Sequence, residues 1–165
     1  MYNVTLIPGD GIGPEVANAT KAVVDATGVQ INWEEVNAGE AVYEKVGTLV
    51  PDEVYASIEK NKLALKGPIT TPIGKGFRSI NVMLRTKYDL YSNVRPSRNF
   101  KGIDTPFNNV NMTIFRENTE GLYIGEEKVV DENTTEATKR ITRTGSLRIC
   151  KEAFEYARKL GKKTV

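Results

Sequence analysis

Residues 4–7, VTLI, run straight into GDGIGPEV at residues 9–16, and no other stretch constrains the fold so tightly. The run is short, apolar and rich in branched side chains, which predicts a buried strand. The stretch after it, residues 14–27, sets Val16, Ala19, Val23 and Ala26 on one face at helical spacing, with Pro14 at the first helical position. Strand, glycine turn and helix in that order open an α/β chain. They also pose a choice, because dinucleotide-binding loops occur in this context. Such a loop needs a glycine three residues after the second one. Counting from Gly9 and Gly11, that place is Pro14, and the third glycine is Gly13. Asp10 and Glu15 would also set two carboxylates where a pyrophosphate wants bare N–H groups. Spacing and charge therefore predict a sharp strand-to-helix turn rather than a phosphate grip.

The rest of the chain continues the alternation. Residues 30–36 read as a strand, 39–46 as a short helix ended by Gly47, and 51–61 as a helix with Val54, Tyr55 and Ile58 on one face. Residues 63–65 read as a short buried strand. A glycine- and proline-rich loop covers 66–76, a helix 79–87, an extended segment 88–94, a second loop 96–109 and a strand 110–116. Residues 121–130 alternate like a hairpin or arm, and 131–144 are charged and threonine-rich. Residues 146–160 form an amphipathic helix with Leu147, Cys150, Phe154 and Ala157 as its inner stripe. Outside it, Arg148–Glu152, Lys151–Glu155 and Glu155–Lys159 are spaced to pair. Gly161 caps this helix, and residues 162–165 look like the first step of another strand, which hints at a fragment. Strands alternating with helices define the α/β class.

Composition excludes several functions. The 23 Lys and Arg nearly balance the 21 Asp and Glu, for a net charge of +2, so neither a nucleic-acid binder nor a membrane-surface protein is expected. No apolar run approaches the roughly 20 residues that span a bilayer. Met1 leads directly into a strand with no basic or long apolar leader, so no signal peptide is expected. The single cysteine, Cys150, builds no disulfide framework, and a reducing cytoplasm is the expected location. Histidine is absent, which excludes Ser-His-Asp and Cys-His catalysis within the chain. Acid–base work must fall to Tyr, Lys, Asp or Glu.

The reactive side chains gather between residues 66 and 123. In KGPITTPIGKGFRSINVMLR, Ser79 and Asn81 stand at a helix start with Arg85 one turn later, a hydroxyl, an amide and a guanidinium suited to a carboxylate. The plainer alternative is an N-capping Ser79 and a solvated Arg85. YSNVRPSR holds Arg95 and Arg98, and Pro96 forces extended backbone at Arg95. FRENTEGLY places Arg116 at the end of an apolar strand, then Glu117, Asn118, Glu120 and Tyr123. Three arginines at the ends of separate elements suit a substrate with several carboxylates; ordinary solvated surface charge is the alternative. Tyr123 is either a packing residue or, with no histidine present, a proton donor.

PGDGIGPE, GPITTPIG, RSINVMLR, DLYSNVRP and FRENTEGLY, in this order and spacing, resemble the β-decarboxylating dehydrogenases, the family of isocitrate, isopropylmalate and homoisocitrate dehydrogenases. The resemblance covers essentially the whole chain. It implies an α/β fold that is not a standard Rossmann domain, present as an N-terminal portion. Residues 1–90 would belong to the large domain, 91–120 would begin the small domain, 121–144 would form a clasp-like arm, and 145–165 would supply a small-domain helix and the start of a strand. It implies that Ser79 and Asn81 recognise isocitrate and that Arg85, Arg95 and Arg116 bind its malate-like carboxylates. Tyr123 would protonate the enol carbon, Thr71 and Asn81 would approach the nicotinamide, and Lys66 would lie close to the substrate.

The implied reaction is oxidative decarboxylation of isocitrate with NAD or NADP, NAD being favoured by TEGLYIGEE. Mg²⁺ or Mn²⁺ would be held by residues of the half that is not here, together with the catalytic lysine. The resemblance further implies a homodimer joined through the arm and a tricarboxylate as the small-molecule partner. Homoisocitrate or isopropylmalate dehydrogenase, or a non-catalytic regulatory subunit of the same family, are the alternatives.

Overall fold

The computed structural model of the chain describes residues 1–70 and 79–165. Two compact units divide it, Met1–Ile80 and Asn81–Val165.

The first unit is built on a three-stranded parallel sheet in the order β2-β1-β3, with β1 Tyr2–Ile7, β2 Ile31–Glu35 and β3 Ala64–Lys66. Central β1 pairs on both sides, Leu6 lying opposite Glu35 on one flank and Leu65 on the other. Val4 through Ile7 are buried without alternation, as a strand covered on both faces requires. Thr5 is the polar member of that run, and a buried hydroxyl is costly unless bonded. Its Oγ1 lies 2.8 Å from Ser57 Oγ and accepts from Asn61 Nδ2 at 3.0 Å, both on α3, Asp52–Asn61. The face of α3 read from sequence holds: Val54 is fully buried, with Tyr55 and Ile58 half-buried beside it.

Helix α1, Gly13–Asp25, turns a different face inward from the one expected. Its buried residues are Gly13 and Ala17, while Val16 and Val23 are exposed. Small side chains let the helix backbone close on its neighbours, and that close approach outweighs the larger apolar stripe. Strand β3 is likewise an edge of the described sheet, so Leu63 and Ala64 are exposed rather than buried. Helix α2, Glu40–Val46, ends at Gly47 in the left-handed conformation, as the glycine signalled.

The second unit carries α4, Ile80–Lys87, whose first residue closes the first unit. An antiparallel pair follows, β4 Ser92–Arg98 and β5 Asn111–Glu117. The expected loop at residues 96–109 begins later than read, because β4 continues through Pro96, which pairs with Thr113. A strand with a free edge tolerates the missing N–H. Asn99 organises the connection: its side chain donates to Thr105 Oγ1 and the Phe107 carbonyl and accepts from the Val110 amide. The expected arm is an exposed two-stranded ribbon, β6 Glu127–Asp131 and β7 Thr134–Ala137.

Helix α5, Arg143–Lys159, lies against β5, with Phe115 and Tyr156 in edge-to-face contact at 5.1 Å. Its inward stripe is Gly145, Arg148, Ile149, Glu152, Tyr156 and Ala157; of the expected stripe only Ala157 turns inward, since Leu147, Cys150 and Phe154 are exposed. Of the outer ion pairs, Lys151–Glu155 forms, whereas Arg148 and Glu152 turn toward other elements.

Candidate active site

Strand β5 delivers its last residues into a tight polar turn. Glu117 folds its carboxylate back over this turn, accepting from the Thr119 amide at 2.8 Å, the Thr119 hydroxyl at 2.7 Å and the Glu120 amide at 2.8 Å. Glu120 reaches across to the start of α5, accepting from the amide and hydroxyl of Thr142. Thr142 is the N-cap of that helix, and its oxygen in turn accepts from the Gly145 amide at 3.0 Å. A Cβ at Gly145 would stand 2.4 Å from the Glu120 carboxylate, so a side chain there would push Glu120 off Thr142.

Arg148 ties the assembly together. Its guanidinium donates to both Asp89 oxygens at 2.9 Å, to Glu117 at 3.0 Å and to the Thr119 hydroxyl at 2.6 Å, and it lies 4.5 Å from the centre of the Tyr91 ring. Tyr91 donates to Glu152 at 2.6 Å. The turn between Arg116 and Tyr123 is therefore held by charge-assisted bonds from three directions.

These bonds have a pH signature. Burial lifts the Glu117 carboxyl, but the Thr119 hydroxyl, the two turn amides and Arg148 outweigh it, so its pKa is held below the ordinary 4.5. The Thr142 hydroxyl and amide hold Glu120 below the same value. A carboxylate depressed on folding adds stability that is present above its unfolded pKa and is lost as pH falls through the folded one. Melting temperature should accordingly drop as the pH is taken below about 4.5. Glu117→Gln should flatten that drop in melts run across the acid range, and an unchanged slope would show that these bonds do not set acid stability.

The framework presents the site residues. Arg95 pairs with Ile114 and Arg116 with Asn93, so the two arginines sit diagonally on one face of the β4–β5 ladder. Asn93 Oδ1 accepts from Arg95 Nε at 3.1 Å. Arg116 Nη2 donates to the Tyr123 hydroxyl at 2.5 Å, and its guanidinium lies 5.5 Å from the centre of that ring. Both open onto a cleft of about 580 Å³ that Lys139, Ile141, Ser146 and Cys150 also line.

The structure thus brings Arg95, Arg116 and Tyr123 together. Asn81 and Arg85 lie one turn apart on α4, and Ser79 immediately precedes it. Among the described residues no hydrogen bond joins these α4 residues to the ladder. Thr71 lies outside the described residues. Lys66 donates to the Gly67 carbonyl at 2.8 Å.

The glycine turn is no phosphate cradle. The Asp10 amide donates to Pro68 O at 3.1 Å and the Gly13 amide to Asp10 O at 2.7 Å, so two of the loop's N–H groups are already bonded within the protein. Among the described residues no group of three or more His, Cys, Asp or Glu forms a metal site. A hard divalent cation requires several oxygen ligands, and the described residues gather no such cluster. Sequence reasoning gave no role to Glu117, Glu120, Asp89 or Tyr91, and assigned Arg148 to an exposed pair. The signal for Arg148 lay in its spacing from Gly145, Ile149, Glu152 and Tyr156, a stripe at helical intervals.

The strand–turn–helix order, with turn amides already bonded within the protein, defines an α/β fold outside the common dinucleotide-binding class. Residues 3–165 match the family described as isocitrate/isopropylmalate dehydrogenase, and the chain belongs to that family. It is 44% identical over 164 residues to isocitrate dehydrogenase (NAD) subunit 2, mitochondrial, of Kluyveromyces lactis, covering 99% of this chain and 44% of that protein. It is 46% identical over 158 residues to the human isocitrate dehydrogenase (NAD) subunit alpha, mitochondrial, covering 96% of this chain and 43% of that protein. The crystal structure of isocitrate dehydrogenase from Methylococcus capsulatus superposes with a TM-score of 0.91 at 48% identity, covering 99% of this chain and 49% of that one.

The fold is therefore isocitrate/isopropylmalate dehydrogenase-like, and the chain spans about half the length of the relatives it matches. The expected cytoplasmic location is corrected by these findings, since the curated relatives are named as mitochondrial. A lone free thiol marks a reducing environment and does not distinguish one reducing compartment from another.

Proposed function

We propose that this chain is the N-terminal half of an NAD-dependent isocitrate dehydrogenase, holding the substrate carboxylates and the proton donor. The observation that carries the reading is the Arg116–Tyr123 contact at 2.5 Å on the ladder face shared with Arg95. Arginine offers only donors, so the Tyr123 oxygen accepts from it and the phenolic hydrogen is left for another acceptor. That is the arrangement a proton donor needs next to a carboxylate held by the same arginine. Arg85, Arg95 and Arg116 orient the malate-like part of the substrate through bidentate bonds. Ser79 and Asn81 meet its remaining carboxylate.

A bound dinucleotide would supply the hydride acceptor for the substrate's hydroxyl-bearing carbon. Thr71 and Asn81 meet its nicotinamide end. Tyr123 delivers a proton to the carbon that carbon dioxide leaves. The exposed β6–β7 ribbon, with unpaired edges on both sides among the described residues, is the arm through which two copies join.

The test is to sequence the transcript past codon 165, express the extended polypeptide and assay isocitrate, homoisocitrate and isopropylmalate with NAD and with NADP. Isocitrate with NAD should be turned over fastest, and the 165-residue chain alone should be inactive. Faster homoisocitrate oxidation would overturn the substrate assignment, and turnover by the short chain alone would overturn the half-enzyme reading.

A further inference from the structure

Arg148 stands between two elements that the proposed substrate site needs together. Its Nη1 donates to both Asp89 oxygens at 2.9 Å, and its Nη2 donates to Glu117 at 3.0 Å and to the Thr119 hydroxyl at 2.6 Å. Asp89 lies just past the end of α4, the helix that carries Arg85, and Glu117 ends β5 beside Arg116. All of these residues belong to the second unit.

One side of the clamp reaches Arg85 through the backbone. Asp89 has φ +46°, in the left-handed region that glycine adopts at least cost. Its reversal lets the Leu90 amide donate to the Arg85 carbonyl at 2.9 Å, which closes the last turn of α4. Glycine would make the same turn with less strain. Stability does not call for the carboxylate either, because the Asp89 side chain is 67% exposed and an exposed ion pair contributes little. What the carboxylate adds is attachment. It fastens the end of α4 to a guanidinium that is itself largely enclosed, 4.5 Å from the centre of the Tyr91 ring. The other side of the clamp holds the Glu117 carboxylate, which folds the turn leading from Arg116 to Tyr123. A planar guanidinium with fixed donor directions fixes the two attachments relative to each other.

We propose that Arg148 is a positioning residue that sets the separation between Arg85 and Arg116, and with it the length of diacid that the two can hold. The inference rests on the reading of these arginines as carboxylate ligands. A role limited to stability is the competing account, and Asp89 separates the two, since glycine there removes the attachment while easing the backbone.

Steady-state rates and thermal melts of the extended polypeptide are measured in wild-type, Asp89→Gly, Arg148→Lys and Glu155→Gln forms, with isocitrate, homoisocitrate and isopropylmalate. Asp89→Gly should keep its melting temperature within about 3 °C of wild type, while the KM for isocitrate rises about tenfold and kcat stays within about twofold. Arg148→Lys keeps the charge but loses the fork, so KM should rise at least as far and kcat should fall as the turn before Tyr123 loosens. Glu155→Gln breaks the exposed Lys151 pair on the same helix and should keep the wild-type KM. Should Arg148→Lys fail to fold, Asp89→Gly decides alone. A wild-type KM in Asp89→Gly, an equal rise in Glu155→Gln, or a rise that comes with a fall of about 10 °C in melting temperature would each overturn the inference. The same rise in KM for another of the three acids, in an enzyme that prefers that acid, would uphold it and remove the isocitrate reading instead. A wild-type polypeptide that oxidises none of them would remove both.

Discussion

Tyr123→Phe in the extended polypeptide is expected to lower kcat about 10²- to 10³-fold and to leave the KM for isocitrate within a few-fold. The ring stays, so its contact with the Arg116 guanidinium at 5.5 Å is kept. Only the oxygen that accepts from Arg116 at 2.5 Å is lost, and with it the transferable hydrogen. Arg116→Gln should behave differently. On the proposed reading it removes a carboxylate ligand as well as the tyrosine's observed partner, so KM should rise together with the fall in kcat. Steady-state rates from NADH absorbance separate the two patterns. A Tyr123→Phe enzyme with wild-type kcat would show that the proton comes from another group.

The second large effect is on folding. Gly9→Ala should destabilise the chain by about 4 kcal/mol, a large share of a domain's stability. Gly9 has φ +86°, and its Cβ would fall 1.9 Å from a backbone oxygen of the residue 67–70 segment, which Asp10 holds in place. Neither backbone can yield without breaking the Asp10–Pro68 bond or the pairing of β1 with β3. Gly47→Ala is the control. Its φ is +75° but nothing lies within 4 Å of the added carbon, so the cost is the left-handed backbone alone, about 1 kcal/mol. Urea titrations of the 165-residue chain, followed by Trp33 fluorescence, measure both. Similar midpoints for the two variants would mean that the turn and the 67–70 segment are not packed as described.

The order of elements was legible in the sequence because local signals agreed: branched runs for strands, Pro14 and Gly47 at helix boundaries, and Val54 with Ile58 for one buried face. The failures have a common origin. On α1 and α5 the eye follows the larger apolar side chains, but the structure buries small ones. Gly13 and Ala17 on α1, and Gly145 on α5, let backbones approach, and close approach is invisible in a hydrophobicity pattern, whereas Ala157 was read as inward and is buried. Pro96 misled because its effect depends on whether the strand has a free edge, which is a tertiary fact.

The ordered motifs singled out Arg95, Arg116 and Tyr123; the ladder register sets the two arginines on one face, and Tyr123 meets Arg116. The bonds that set them were not legible. Arg148 meets Asp89 and Glu117, which lie 59 and 31 residues away in the chain, and nothing in the local spacing announces partners at such range.

One outcome of the α5 packing is practical. Leu147 and Phe154 stand exposed on α5, and Cys150, the single thiol of these 165 residues, is exposed between them and lines the cleft of Arg116 and Tyr123. An environment-sensitive fluorophore coupled there needs no engineered cysteine and no removal of competing ones. Its emission would report, in real time and on the native sequence, the arrival of a ligand in that cleft.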